Sequence, residues 1–86
     1  MIDIRSWLRR IVRRASLENN YGDPEGVVIL EDNIHYHSGQ TVHRISALAV
    51  ILGRRCYISM NVNEDGSYND YRVSEPDSSR KIIFRQ

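Results

Sequence analysis

Thr41-Val42-His43-Arg44-Ile45-Ser46-Ala47-Leu48-Ala49-Val50-Ile51-Leu52, followed by Gly53, is the stretch on which the architecture turns. Val42, Ile45, Leu48, Ala49 and Leu52 recur at i, i+3, i+6, i+7 and i+10, which is the stripe of a helix. Ser38 or Thr41 can cap its start, and Gly53 suits the left-handed position just past its end. Only His43, Arg44 and Ser46 are polar, so a helix over 41–52 is expected to be largely buried. The competing reading is a strand from Thr41 to Ser46 that closes a hairpin over Ser38-Gly39-Gln40. The helical spacing is taken as the stronger signal.

Upstream, Val27 to Leu30 is an apolar, β-branched run. Asp32-Asn33 is the expected tight turn, and Ile34 to His37 returns as a second strand. Val27, Ile29, Ile34 and Tyr36 then share one face, the core side; Val28, Leu30, His35 and His37 share the other. Downstream, Cys56 to Asn63 and Tyr68 to Ser74 flank Asp65-Gly66, a strong hairpin signal. A two-residue turn there pairs Val62 with Asn69, Met60 with Tyr71 and Ile58 with Val73. Tyr57, Ser59, Asn61 and Arg72 then point outward. Pro76 with Asp77, Ser78 and Ser79 breaks the chain, and Lys81 to Phe84 reads as a short final strand.

The N-terminal segment 1–18 is an Arg-rich amphipathic helix. Ile4, Trp7, Leu8, Ile11, Val12 and Ala15 fill one arc about 140° wide, and Arg5, Arg9, Arg10, Arg13 and Arg14 fill the rest. Asp3 is a good N-cap, and the turn-rich Tyr21-Gly22-Asp23-Pro24 ends the element near Asn19–Asn20. The expected fold class is therefore α+β: a small two-layer domain of order α-ββ-α-βββ, with a mainly antiparallel sheet packed against two helices. Residues 1–86 form one domain, with the hairpin, second helix and C-terminal antiparallel strands in 26–86.

Composition limits the function classes. Eighty-six residues support one modest core. The single cysteine, Cys56, rules out an intramolecular disulfide and a four-cysteine zinc site, and favours a reducing, cytoplasmic setting. No apolar run approaches 18 residues, so no membrane-spanning helix is expected. The net charge of +1 hides an asymmetry, with +4 in residues 1–17 and −3 in residues 18–86.

That asymmetry carries the leading functional expectation, a non-enzymatic binding protein that needs no cofactor. Arg5, Arg9, Arg10, Arg13 and Arg14 span roughly 15 Å of helix axis. No acid separates them, so like charges repel at i, i+4 and an anionic partner relieves the strain. The expected partner is an anionic macromolecule, nucleic acid ahead of an acidic protein surface. The alternative is a protein–protein module, an inhibitor or a homo-oligomer. It would use the helix face around Trp7, Leu8 and Ile11, or Tyr57, or an unpaired sheet edge.

Other constellations carry less. His35, His37 and His43 are the only candidate metal ligands. They cluster only if a three-residue turn over Ser38-Gly39-Gln40 sets His35 opposite His43; the expectation is no metal. His35 and His37 could serve a small nuclease as acid and base. Arg13-Arg14-Ala15-Ser16-Leu17 resembles the recognition sequence of cyclic-AMP-dependent protein kinase, with Ser16 expected on the polar side of the helix. Asn63, Asp65, Ser67 and Asn69 alternate oxygens around Gly66, but the calcium-loop spacing is wrong and a hairpin turn accounts for them. Cys56 reads as a small buried hydrophobe at the start of a strand. Attachment to a membrane surface would require the first helix to leave the core.

Overall fold

The computed structural model describes residues 3–75. One helix, α1 (Ile4–Glu18), precedes four strands: β1 (Gly26–His37), β2 (Gln40–Ile51), β3 (Arg54–Asn63) and β4 (Tyr68–Ser74). The strands form one antiparallel sheet in the order β1-β2-β3-β4, each paired with its neighbour in sequence. The protein is thus α+β and two-layered, but among the described residues its order is α-ββββ. The expected segment Lys81 to Phe84 and the break at Pro76 lie outside the described residues.

α1 begins where expected. The Asp3 carboxylate accepts from the Arg5 N–H and from the Ser6 hydroxyl, and the Asn19 N–H closes the far end on the Ala15 carbonyl. Leu8, Ile11, Val12 and Ala15 are buried against the sheet.

The expected second helix is absent; residues 40–51 are β2, an inner strand. His43, Ile45, Ala47, Ala49 and Ile51 alternate onto the face under α1 and are buried, while Val42, Ser46, Leu48 and Val50 are half-buried on the other face. An inner strand with apolar residues on both faces loses its period-2 signature, so a helical stripe can be drawn through it. The turns decide the matter. Ser38-Gly39 and Leu52-Gly53 both have positive φ at both residues, +53° and +79° in one, +53° and +77° in the other. That is the geometry of a two-residue hairpin turn whose twist matches its strands. Gly53 is left-handed as its type suggested, but in a hairpin rather than at a helix end.

β1 also departs from expectation. Asp32-Asn33 is not a turn; the strand runs straight through, with a bulge at Leu30 between the Ile29–Ala47 and Glu31–Ser46 pairs. The pairs such a turn would make, Leu30 with His35, Ile29 with Tyr36 and Val28 with His37, do not form, because residues 26–37 pair with β2 instead. The extra residue resets the alternation, so Val27 and Ile29 before the bulge and Ile34 and Tyr36 after it still lie on the helix side. Only Val27 and Ile29 are covered by α1.

The β3–β4 hairpin is a register correction of one residue. Its loop is Glu64-Asp65-Gly66, with Gly66 at φ +90° and Asn63 N–H donating to Ser67 O, which sets Val62 opposite Tyr68 rather than Asn69. A bulge at Asp70 (φ +56°) absorbs the difference, and the Ile58–Val73 pair is as expected. Cys56, Ile58, Met60 and Val62 complete the single core, with Trp7, Tyr68, Tyr71 and Val73 packed around it.

Candidate interaction surface

The helix arginines are largely engaged by the protein itself. Arg5 donates to the Ile29 carbonyl at 2.9 Å, across the bulge of β1. Arg9 donates to the Ser6 hydroxyl. Arg13 donates to Pro24 O at 3.0 Å and stands 3.4 Å from the Asp23 carboxylate. Arg14 donates to Gly66 O in the β3–β4 turn, lies 3.9 Å from Glu18 and sits 6.0 Å from the Tyr68 ring centre. Arg5, Arg13 and Arg14 thus tie α1 to three separate loops and strands, whereas Arg9 bonds only within the helix and Arg10 makes no such tie among the described residues. Three of these bonds end on backbone carbonyls, and charged donors make the stronger class of hydrogen bond. The acid-free stripe is consistent with a helix whose cations are used in docking it.

The alternative interface is divided by the fold. Leu8 and Ile11 are inside the core, 0 % and 3 % exposed. Trp7 packs edge-on against the His43 ring, centroids 5.8 Å apart. Tyr57 lies on the open face of the sheet, half-buried, in the row Val28, Leu48, Tyr57, Ser74.

The three histidines do not converge. The Ser38-Gly39 turn has two residues, not three, so Val42 stands opposite His35 while His43 pairs with Ile34 on the other face. A slip of one residue moves a strand's side chains to the opposite face. His43 is buried under α1, its Nδ1 2.8 Å from the Asp32 carboxylate. His35 and His37 lie on the open face of β1. Among the described residues no group of three or more His, Cys, Asp or Glu side chains could hold a metal ion.

Ser16 is not on the polar side of the helix. It is 0 % exposed and its hydroxyl meets the Tyr71 hydroxyl at 3.2 Å. Burial pushes the Tyr71 phenol up, and the Tyr68 phenol is pushed up chiefly by its hydrogen bond to Glu18. Two hydrogen bonds from Ser67 hold the Asp65 carboxyl below its usual range, so the oxygen-rich loop is an internally satisfied turn. Cys56 is buried at the start of β3.

The residues that sequence reasoning did not single out are on β1. Val28 is 56 % exposed, Leu30 47 %, Ile34 51 % and Tyr36 78 %. These are four of the eight large exposed hydrophobics among the described residues, all on one edge strand. The signal was present in the sequence as the apolar run Val27 to Leu30 and the alternating Ile34-His35-Tyr36-His37, but the assumed turn at Asp32-Asn33 hid that they are one strand.

The backbone of that edge can be read from its partner. The Thr41 N–H donates to the Glu64 carboxylate on the β3 side, away from β1. Tyr36, opposite Thr41, therefore directs its own N–H and C=O outward, and by alternation Ile34 and Asp32 do the same. Among the described residues no strand pairs with this edge.

The chain matches no protein-family model, no curated protein and no solved structure.

Proposed function

We propose that this chain is a small non-enzymatic binding protein that engages a protein partner through the outer edge of β1. The observation that carries the reading is the concentration of exposed Val28, Leu30, Ile34 and Tyr36 on a strand whose outer edge no described strand covers. Long edge strands are usually shielded because unpaired N–H and C=O groups recruit another strand. Here the bulge at Leu30 and the charges of Glu31 and Asp32 shield only the middle of β1. The stretch from Asn33 to His37 carries no acid, and its apolar side chains stand in solvent. A partner in extended conformation would add as a new strand, drawing affinity from main-chain bonds and specificity from contacts with Ile34 and Tyr36.

Selection from a displayed library of random peptides tests this. The reading predicts enrichment of extended peptides with apolar residues at alternate positions. Their binding perturbs the amides of Asp32 to His37 and is lost in Ile34→Lys and Tyr36→Lys. Peptides that bind elsewhere, or an unenriched library, refute it.

A second reading retains the anionic partner, and the exposed Arg10 favours it. Binding of single- and double-stranded DNA and RNA, beside an Arg9/Arg10/Arg13/Arg14→Ala variant that still folds, separates the two. Five phosphate contacts would give a log–log salt slope of about −3.5 to −4.5. The β1 reading predicts no such binding, because four of the five guanidiniums already hold protein groups.

A further inference from the structure

The geometry points to a second copy of this chain as the strand that β1 accepts, paired antiparallel along Glu31–His37 about a two-fold axis at Ile34. This rests on the reading of β1 as the binding edge and names its partner.

The segment is bounded on both sides. The bulge at Leu30 ends regular pairing toward the N-terminus, and the Ser38-Gly39 turn ends the strand. The residues 31–37 lie between, and Ile34 is their midpoint. A two-fold antiparallel pair that uses all of them must set Ile34 opposite Ile34 of the second copy. Outward N–H and C=O groups belong to Asp32, Ile34 and Tyr36, so the hydrogen-bonded pairs are Ile34 with Ile34, Asp32 with Tyr36, and Tyr36 with Asp32. The backbone parity and the segment's midpoint thus agree.

The side chains in this register are complementary on both faces. On the helix side the two Ile34 side chains lie together, and Tyr36 meets Asp32 of the second copy. One Asp32 oxygen is held by His43, which leaves the other to accept from the Tyr36 hydroxyl. On the open face Glu31 meets His37 and Asn33 meets His35, so an imidazole N–H faces each oxygen-bearing side chain. No like charges stand opposite one another, an arrangement that favours cross-strand pairing. The neighbouring registers lose this match. A shift of two residues one way runs Tyr36 into the bulge at Leu30. The same shift the other way sets His35 against His35 and leaves Glu31 unpaired. The result is a closed, isologous dimer with one continuous sheet.

Sedimentation equilibrium and site-directed cross-linking test it. The wild-type chain should approach twice its 10.0 kDa mass as concentration rises. Ile34→Lys and Tyr36→Lys, at exposed positions and with unchanged circular dichroism, should stay at the monomer mass. Under mild oxidation Ile34→Cys should form a disulfide-linked dimer, since facing residues of a hydrogen-bonded pair stand about 5.5 Å apart at Cα, within disulfide reach. Val28→Cys, equally exposed but six residues from the axis, should not. A wild-type chain that remains at 10.0 kDa at its highest soluble concentration overturns the proposal. Cross-linking of Val28→Cys as fast as Ile34→Cys overturns the pairing about Ile34. If the chain is monomeric while displayed peptides still bind at β1, the second copy alone is refuted. If both fail, the binding edge falls with it.

Discussion

Replacing His43 with leucine tests the strand register that places every side chain of the β1–β2 hairpin. In the structure His43 is 8 % exposed, its Nδ1 is 2.8 Å from Asp32 Oδ1, and its ring meets Trp7 edge-on. Leucine fills much of the same space, so the cavity is small. Three losses remain. A hydrogen bond to a carboxylate contributes about 1.5–3 kcal/mol. An edge-to-face ring pair adds roughly 0.5–1.5 kcal/mol. Asp32, with its side chain 20 % exposed, is left beside apolar groups without its partner. The exposed fifth of Asp32 trims the penalty, and the expected destabilisation is about 2–4 kcal/mol. Urea unfolding followed by the fluorescence of Trp7, the only tryptophan, should show the midpoint falling by roughly 1–3 M. Asp32→Asn keeps an acceptor near Nδ1 and should cost less than half as much. A three-residue turn would put His43 on the open face, where a substitution changes stability by less than about 0.5 kcal/mol. A His43→Leu effect that small refutes the register and the burial drawn from it.

Further outcomes follow from single sites. Ser16→Asp places a carboxylate at a position with no exposure and should cost about 3 kcal/mol or more in denaturant unfolding; the folded protein should not be phosphorylated there by a basophilic kinase. Leu52 holds φ +53° while 84 % exposed, so Leu52→Asn relieves left-handed strain at no cost in packing and should stabilise by about 1 kcal/mol in thermal melts. Tyr68 and Tyr71 have raised folded values, so their contribution is full below the ordinary phenol value of 10.0 and is lost as pH rises through the raised values. An absorbance titration of phenolate should show a late-ionising fraction that shrinks in Tyr68→Phe and Tyr71→Phe, with the melting temperature falling above pH 10.0.

The helix was legible because every local cue agreed: a capping Asp3, one apolar arc, and a turn cluster at its end. β3 was legible for the same reason, since its buried face alternates cleanly from Cys56 to Val62. β2 was not, because Ala47, Leu48, Ala49, Val50 and Ile51 are apolar on both faces and fit either period. The decisive information was in Ser38-Gly39 and Leu52-Gly53, whose left-handed pairs fix two tight hairpins. Ser38 and Leu52 are poor formers of that conformation, so the turns are imposed by the strands they join. The histidines show how a small error spreads: one residue in a turn separates a three-imidazole cluster from a buried His43–Asp32 pair. The arginine face was visible in sequence, but its use was not. The acceptors Ile29 O, Pro24 O and Gly66 O are carbonyls brought near α1 only by the tertiary fold.

The most direct test of the binding edge is residue-resolved amide hydrogen exchange along β1 in dilute and concentrated protein. The account predicts an alternation in the dilute sample: Asn33 and His35 protected by β2, and Asp32, Ile34 and Tyr36 exchanging fast because their N–H groups face solvent. On concentration Asp32, Ile34 and Tyr36 should slow while the amides of α1 do not change. If those three are already protected in dilute solution, or the changes fall on the arginine face of α1, β1 is not the surface through which this protein binds.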